Sequence, residues 1–369
     1  MLRRRFLWSI LIVVIAATLL TGMPGCRSGN DDYEPIEDTS PPYLSELAEK
    51  LDFYIGAAVG ESYLRNSEYV EVLKREFNAV VAENDMKWST IRWSEHSYNF
   101  APGDAIVKFA EENRMMVRGH TLAWHSQNPG WLQNKKYSRE EAIEVLEGYI
   151  TEVVTHWKGR IKEWDVVNEA IDDEGKRRDS IWQQWIGDDW IEIAFRAAHK
   201  ADPDALLFYN DYNLEYPSPK QNAVYNLVNG LLKKGVPIHG IGFQGHFSLE
   251  YGGVPAKGTL KASIDRFANL GLIVQFTEVD VRIPKPVTAS KLKQQAESYR
   301  RLLEVALEHP ACNAVLVWGV HDKQSWVDYT FPNTTAPLLF DNSFYRKPAY
   351  YAVRDCLLAE IERREVEGK

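Results

Sequence analysis

Cysteine is almost missing from this sequence. There are three in 369 residues, too few for a disulfide scaffold, while the length is ample for a sizeable hydrophobic core. Basic excess is missing too. The formal net charge is −9, so phosphate backbones and anionic lipid are poor partners, and nucleic acid is not an expected ligand. A neutral substrate is compatible with that charge. The apolar run near the start, residues 6–20, has 15 residues without a charge, short of the roughly 20 that span a bilayer. From about residue 43 to 360 there is no linker, low-complexity run or shift in composition, which favours one large domain over two. What is abundant is aromatic: 12 Trp, 18 Tyr and 14 Phe. Aromatics on this scale suit a core and also a surface for flat ligands.

The first residues read as an address. Arg3, Arg4 and Arg5 precede the apolar run, the order of a secretory signal. Cys26 then follows Gly25, a small residue before a cysteine, which resembles the lipobox of bacterial lipoproteins. Two outcomes stay open: lipidation of Cys26, giving a cell-envelope lipoprotein, or ordinary cleavage nearby, giving a secreted protein. The expected organisation is a signal over 1–25, a polar, Pro-containing tether over 26–42, a catalytic unit over 43–360 and a charged tail over 361–369. Of the two other cysteines, Cys312 is expected to enter the last strand and Cys356 to lie late in the last helix at the same end of the fold. They either pair after export or stay as two buried thiols, the reading favoured here.

Eight short apolar runs, each ending in polar residues, recur along the chain: 53–59, 79–84, 116–122, 163–169, 206–211, 238–246, 272–280 and 314–322. Continuous apolar strands of this kind suit a parallel sheet buried on both faces. Helical stripes lie between them. Tyr69, Val72, Leu73 and Phe77 form one; Ile143, Leu146, Ile150, Val153, Val154 and Trp157 form another, opened by the capping box Ser138 and Glu141. Val224, Leu227, Leu231 and Leu232 form a third, and Leu292, Tyr299, Leu302, Leu303 and Ala306 a fourth. The pattern predicts an α/β fold, a (β/α)8 TIM barrel with a single catalytic domain, with a doubly wound open sheet as the alternative.

In such a barrel, active residues sit at the C-terminal strand ends. Those ends carry Glu83 and Asn84, His120, Asn168 and Glu169, Asn210 and Asp211, Gln244 and His246, Glu278 and Asp280, and Trp318. Glu169 and Glu278 each close an otherwise apolar run, so both are expected in one cleft. Paired carboxylates in a cleft suit glycosidic bond hydrolysis, where one group protonates the leaving oxygen and the other attacks or activates water. A spacing of five between His120 and His125, without flanking Cys or carboxylate, fits no metal-ligand pattern, and neither metal nor cofactor is expected.

At this point the residues resemble a known family. Glu83, Asn84, Lys87 and Trp88; Arg118, His120, Trp124, His125 and Gln127; Trp164, Asn168 and Glu169; Tyr209 to Asn213; Gly242, Gln244 and His246; Thr277, Glu278 and Asp280; and Trp318, Asp322 and Trp326 occur in order. Over roughly 50–355 the chain is similar to family 10 of the glycoside hydrolases, the endo-1,4-β-xylanases. The resemblance implies a retaining double displacement on xylan or xylo-oligosaccharides, with Glu169 as general acid/base and Glu278 as nucleophile. It implies that His246 and Asp280 support Glu278 and that Asn168 meets the sugar 2-hydroxyl. It also implies sugar contacts from Glu83, Asn84, Lys87, His120, Trp124, Gln127, Gln244, Trp318 and Trp326. A retaining pair lies about 5–5.5 Å apart. The acid must stay protonated near neutral pH while the nucleophile stays ionised. Trp157, Trp182, Trp185 and Trp190 fall in helical stretches and are expected in the core.

Two places depart from the family pattern. Residues 89–96 do not follow its usual continuation, which puts the glycone side of the cleft in question. His321 stands where Arg or Thr is common, which puts a substrate or support contact in question. The competing functions are a related retaining β-glycanase acting on cellulose or mixed-linkage glucan, and a non-catalytic glycan-binding surface lipoprotein. The second does not require both Glu169 and Glu278. A monomer is expected, in contact with membrane only through an N-terminal anchor.

Overall fold

A computed structural model describes residues 38–368, and the proposed signal and Cys26 lie outside the described residues. The apolar runs become eight parallel barrel strands: Tyr54–Val59, Ala79–Ala82, Met116–Trp124, Glu163–Asn168, Leu206–Asp211, Gly240–Phe243, Ile273–Pro284 and Cys312–Val317. Each pairs in parallel with the next. The eighth closes on the first, with Tyr54 opposite Ala314, and on the seventh, with Phe276 opposite Val315. The sheet is a closed barrel with helices between successive strands, and the open-sheet alternative is set aside.

The helices form where the stripes place them. Ser138 accepts from the Glu141 amide at 3.3 Å, and Glu141 accepts from the Ser138 amide at 2.8 Å. This reciprocal cap opens helix Arg139–His156, which buries Leu146, Ile150, Val153 and Val154. Helix Ala289–Glu308 buries Leu292, Tyr299, Leu302, Leu303 and Ala306. Trp157, Trp182 and Trp190 are buried in the main core and Trp185 packs against it. The final helix, Pro348–Glu367, continues past Glu360, and Arg364 donates to the Leu51 carbonyl at 3.0 Å. Residues 361–367 are therefore the last turns of a packed helix rather than a separate tail. Cys312 and Cys356 are buried free thiols, both pushed up to about 12 by burial.

Three features of the strands differ from the expectation. The runs are not uniformly apolar. Arg118, Glu163, Asp165 and Gln275 are all buried within the barrel. Arg118 Nε donates to Asp165 Oδ2 at 3.0 Å and Nη1 to Glu163 Oε2 at 3.3 Å and to Gln275. A buried guanidinium needs such partners, and with them it forms a charged plug that reads as interruptions in an apolar run. The sixth run is split: barrel strand Gly240–Phe243 is followed at Gly245, φ 77°, by a separate strand, His246–Ser248, which pairs with the seventh. The seventh strand also runs on to Pro284 rather than ending at Asp280. Its pairing with the eighth shifts register between Phe276 and Val279, and such irregularities re-aim side chains at active sites.

Candidate active site

The strand ends open into a cleft of about 620 Å³. Its walls hold Glu83, Asn84, Lys87, His120, Trp124, Gln127, Asn168, Glu169, Gln244, His246, Glu278, Trp318 and Trp326. Among the expected site residues only Asp280 is not on the wall. It is buried behind His246 and touches both that ring and Trp326. None of residues 89–96 lines the cleft, so the departure there leaves its wall untouched. His321 is also absent from it; its ring packs against Phe344 at 4.2 Å, and burial lowers it to about 4.

Glu278 has a nitrogen partner on each carboxylate oxygen. Asn210 Nδ2 reaches Oε1 at 2.7 Å, and His246 Nε2 lies 3.3 Å from Oε2. Asn210 is itself oriented by Thr277, whose hydroxyl donates to its Oδ1 at 2.6 Å. A side chain on Gly242 would collide with that Asn210 amide, so glycine there keeps the space open. His246 Nδ1 lies 2.8 Å from Asp280 Oδ2, which also accepts from Trp326 Nε1 at 2.8 Å. Burial lowers His246, but the charge of Asp280 and the hydrogen bonds to Asp280 and Glu278 outweigh it and raise the ring to about 10. The ring is therefore a cation at neutral pH and donates from both nitrogens. Burial raises Glu278, yet the His246 hydrogen bond and the charges of His120 and His246 win and hold the carboxyl below its usual value. His120 Nδ1 lies 4.0 Å from Glu278 and 2.9 Å from Asp165. Asp165 is in turn the partner of Arg118, so the charged plug of the barrel ends beneath this carboxylate.

Glu169 sits in different surroundings. It follows the last residue of the fourth strand with φ 56°, a left-handed conformation. Its carboxylate accepts from uncharged donors, Trp124 Nε1 at 3.0 Å, Gln244 Nε2 at 2.9 Å and Asn168 Nδ2 at 3.4 Å, and His125 Nδ1 lies 3.7 Å away. Asn168 bridges the two carboxylate neighbourhoods, lying 2.9 Å from Asn210 Nδ2 and 3.2 Å from Gln244 Nε2.

The remaining wall is built for a polar ligand with flat apolar faces. Trp318 stands edge-on to His120 at 5.4 Å, and Trp326 lies against His246 at 4.9 Å. Lys87 Nζ donates to Asn84 Oδ1 at 3.2 Å and lies over the Trp124 ring at 4.9 Å. Gln127 Nε2 donates to the same Asn84 oxygen at 3.1 Å. Burial lowers Lys87 despite the opposing charges of Glu278, Glu83 and Glu169, and burial raises Glu83 despite Lys87. Tyr212, Asn213, Arg282 and Phe331 also line the cleft and were not among the expected contacts. Tyr212 and Asn213 stand in a segment the resemblance had already picked out, as does Asn210. Arg282 and Phe331 had no sequence signal: one lies on the unforeseen extension of the seventh strand, the other in the loop after the eighth. Among the described residues no group of three or more His, Cys, Asp or Glu is placed to hold a metal ion.

A closed parallel barrel that gathers two carboxylates in one aromatic cleft at its C-terminal strand ends is the arrangement of a barrel glycosidase. The chain belongs to glycosyl hydrolase family 10, whose profile matches residues 44–356. It is 46% identical over 325 residues to endo-1,4-beta-xylanase B of Thermotoga neapolitana, covering 87% of this chain and 93% of that one. It is 40% identical to a beta-1,4-xylanase of Dictyoglomus thermophilum, covering 96% of this chain and 99% of the other. Among solved structures it is similar to xylanase 10B of Thermotoga petrophila RKU-1 in complex with xylobiose. The TM-score is 0.85 at 45% identity, covering 88% of this chain and 99% of that chain.

Proposed function

We propose that the protein is an endo-1,4-β-xylanase that hydrolyses internal β-1,4-xylosidic bonds with retention, using Glu278 as nucleophile and Glu169 as general acid/base. The observation that carries the division of roles is the contrast between their partners. Glu278 faces a histidine cation and an oriented amide, which favour the anion. Glu169 accepts from the uncharged Trp124 and Gln244 donors, with the Asn168 amide at 3.4 Å, and its nearest histidine, His125, stands farther off at 3.7 Å. In the first step a Glu278 oxygen bonds to the anomeric carbon while the bond to the leaving sugar breaks, and Glu169 passes its proton to the departing oxygen. Glu278 is then an ester without charge, so His246 loses one of the two anions that raise it. In the second step Glu169 takes a proton from water, the water oxygen bonds to the anomeric carbon, and Glu278 departs as carboxylate. In this reading Asn168 meets the 2-hydroxyl, a contact that strengthens toward the transition state.

The preference for xylan is supported by the activities named for the relatives. The test is product analysis on xylan, arabinoxylan and carboxymethylcellulose. Xylo-oligosaccharides should appear early from the xylans, with negligible release from cellulose. Equal release from cellulose would move the assignment to a broader β-glycanase, and binding to xylan without release would reduce the protein to a glycan-binding module. We also propose export through residues 1–25 and lipidation of Cys26. The mass of the mature N-terminus distinguishes a lipidated Cys26 from a free cleaved end.

A further inference from the structure

The acid/base Glu169 has a support of its own that touches no substrate-facing atom of the carboxylate. A non-glycine residue at φ 56° is strained and persists only where its surroundings hold it, and here each side of the Glu169–Ala170 peptide unit is gripped. The Glu169 carbonyl accepts from Arg178 Nε at 2.8 Å. The Ala170 amide donates to the Tyr209 hydroxyl at 3.1 Å. Arg178 reaches Glu169 because residues 170–178 fold back on themselves. Ile171 and Arg177 form an isolated antiparallel bridge, and the Arg178 amide donates to the Ala170 carbonyl at 2.8 Å.

The two grips are tied together underneath. Tyr209 donates its hydroxyl proton to Asp211 Oδ2 at 2.7 Å, and Asp211 pairs with Lys220 Nζ at 2.7 Å. Tyr209, Asp211 and Lys220 are all buried. Arg178 Nη2 donates to the Tyr212 hydroxyl at 2.7 Å, and the Tyr212 amide donates back to Asp211 Oδ1 at 3.0 Å. A buried ion pair is a weak source of stability but a good means of fixing one geometry.

We propose that Tyr209 and Arg178, anchored through Asp211 and Lys220, are positioning residues that hold the strained Glu169 backbone and so aim its carboxyl at the leaving-group oxygen. This rests on the acid/base assignment of Glu169. Loss of the grip should leave binding and nucleophilic attack by Glu278 nearly intact and damage proton transfer alone, because that step tolerates little misplacement.

The experiment compares Tyr209→Phe with wild type on two β-xylobiosides, one with a dinitrophenol leaving group that needs no protonation and one with an alkyl alcohol that does. The expected kcat/KM, per folded enzyme, is within about 2-fold of wild type on the first and about 10- to 100-fold lower on the second. Equal losses on both substrates, or no loss on either, would overturn the proposal. Arg178→Lys, which cannot keep the guanidinium geometry, gives the same comparison where the Tyr209 variant is not recovered folded. Glu169→Ala serves as the reference. If it shows no dependence on leaving group, the acid/base assignment itself fails; if it does and the Tyr209 and Arg178 variants do not, only the positioning role fails.

Discussion

Asp280, His246 and Glu278 form a row in which a single ring cation separates two buried carboxylates, with 2.8 Å on one side and 3.3 Å on the other. The consequence for pH is directional. Glu278 is held below the usual 4.5, so the nucleophile is ionised over the whole range above that value. The acid limb of kcat/KM that reports it should therefore fall below 4.5. Replacing His246 by Asn removes the cation while keeping a polar side chain. Burial then acts on Glu278 with less opposition, and the acid limb should move up by one unit or more on the order expected for loss of a close opposite charge, with a lower kcat. An acid limb that stays in place in the variant would show that His246 does not hold the nucleophile. For wild type the sign at high pH is opposite. His246 is raised to about 10, so its favourable pairing is complete below its ordinary 6.5 and is lost as pH rises through 10.

The elements carry the next lesson. The eight strands were legible because each is an apolar run of strand length bounded by polar residues. The ring of Glu, His, Asn and Trp at their ends marked the position of the cleft. What stayed hidden depended on contacts between strands. Arg118, the Glu163 and Asp165 pair, and Gln275 are far apart in the chain, and only barrel closure shows that they satisfy one another. Asn210 looked like one more polar strand end until Thr277 and Glu278 were found on its two amide atoms. The break at Gly245 and the run-on of the seventh strand are register effects, and periodicity alone does not set register. The charged plug makes a prediction at this scale. Arg118→Met leaves Asp165 and Glu163 buried without their cation, so unfolding in urea should show a loss of about 3–5 kcal/mol. A loss under about 1 kcal/mol, the level of an exposed ion pair, would mean that the plug is neutral in the folded protein.

At the scale of the whole molecule, the few cysteines and many aromatics describe one strategy. A barrel with eight strands and packed outer helices buries enough side chain to need no staple, and most tryptophans outside the cleft are spent on that packing. Cys312 and Cys356 fit this view as buried apolar side chains. Thiol titration of the purified protein should find neither Cys312 nor Cys356 reactive in the native state and both reactive after denaturation, with no change in Tm on adding reductant. A single titration-silent pair released only by reductant would instead show a bridge. The cleft sets Glu169 and Glu278 among aromatic rings, and the central claim is that Glu278 forms the covalent intermediate there. The most direct measurement is mass spectrometry of the intact enzyme and its peptic fragments after reaction with a dinitrophenyl 2-deoxy-2-fluoro-β-xylobioside. This substrate has a good leaving group but lacks the 2-hydroxyl contact that speeds turnover of the intermediate. The account predicts one fluoroxylobiosyl unit per molecule, on the peptide carrying Glu278. A label on any other residue, or turnover of xylan by an enzyme that never becomes labelled, would contradict it.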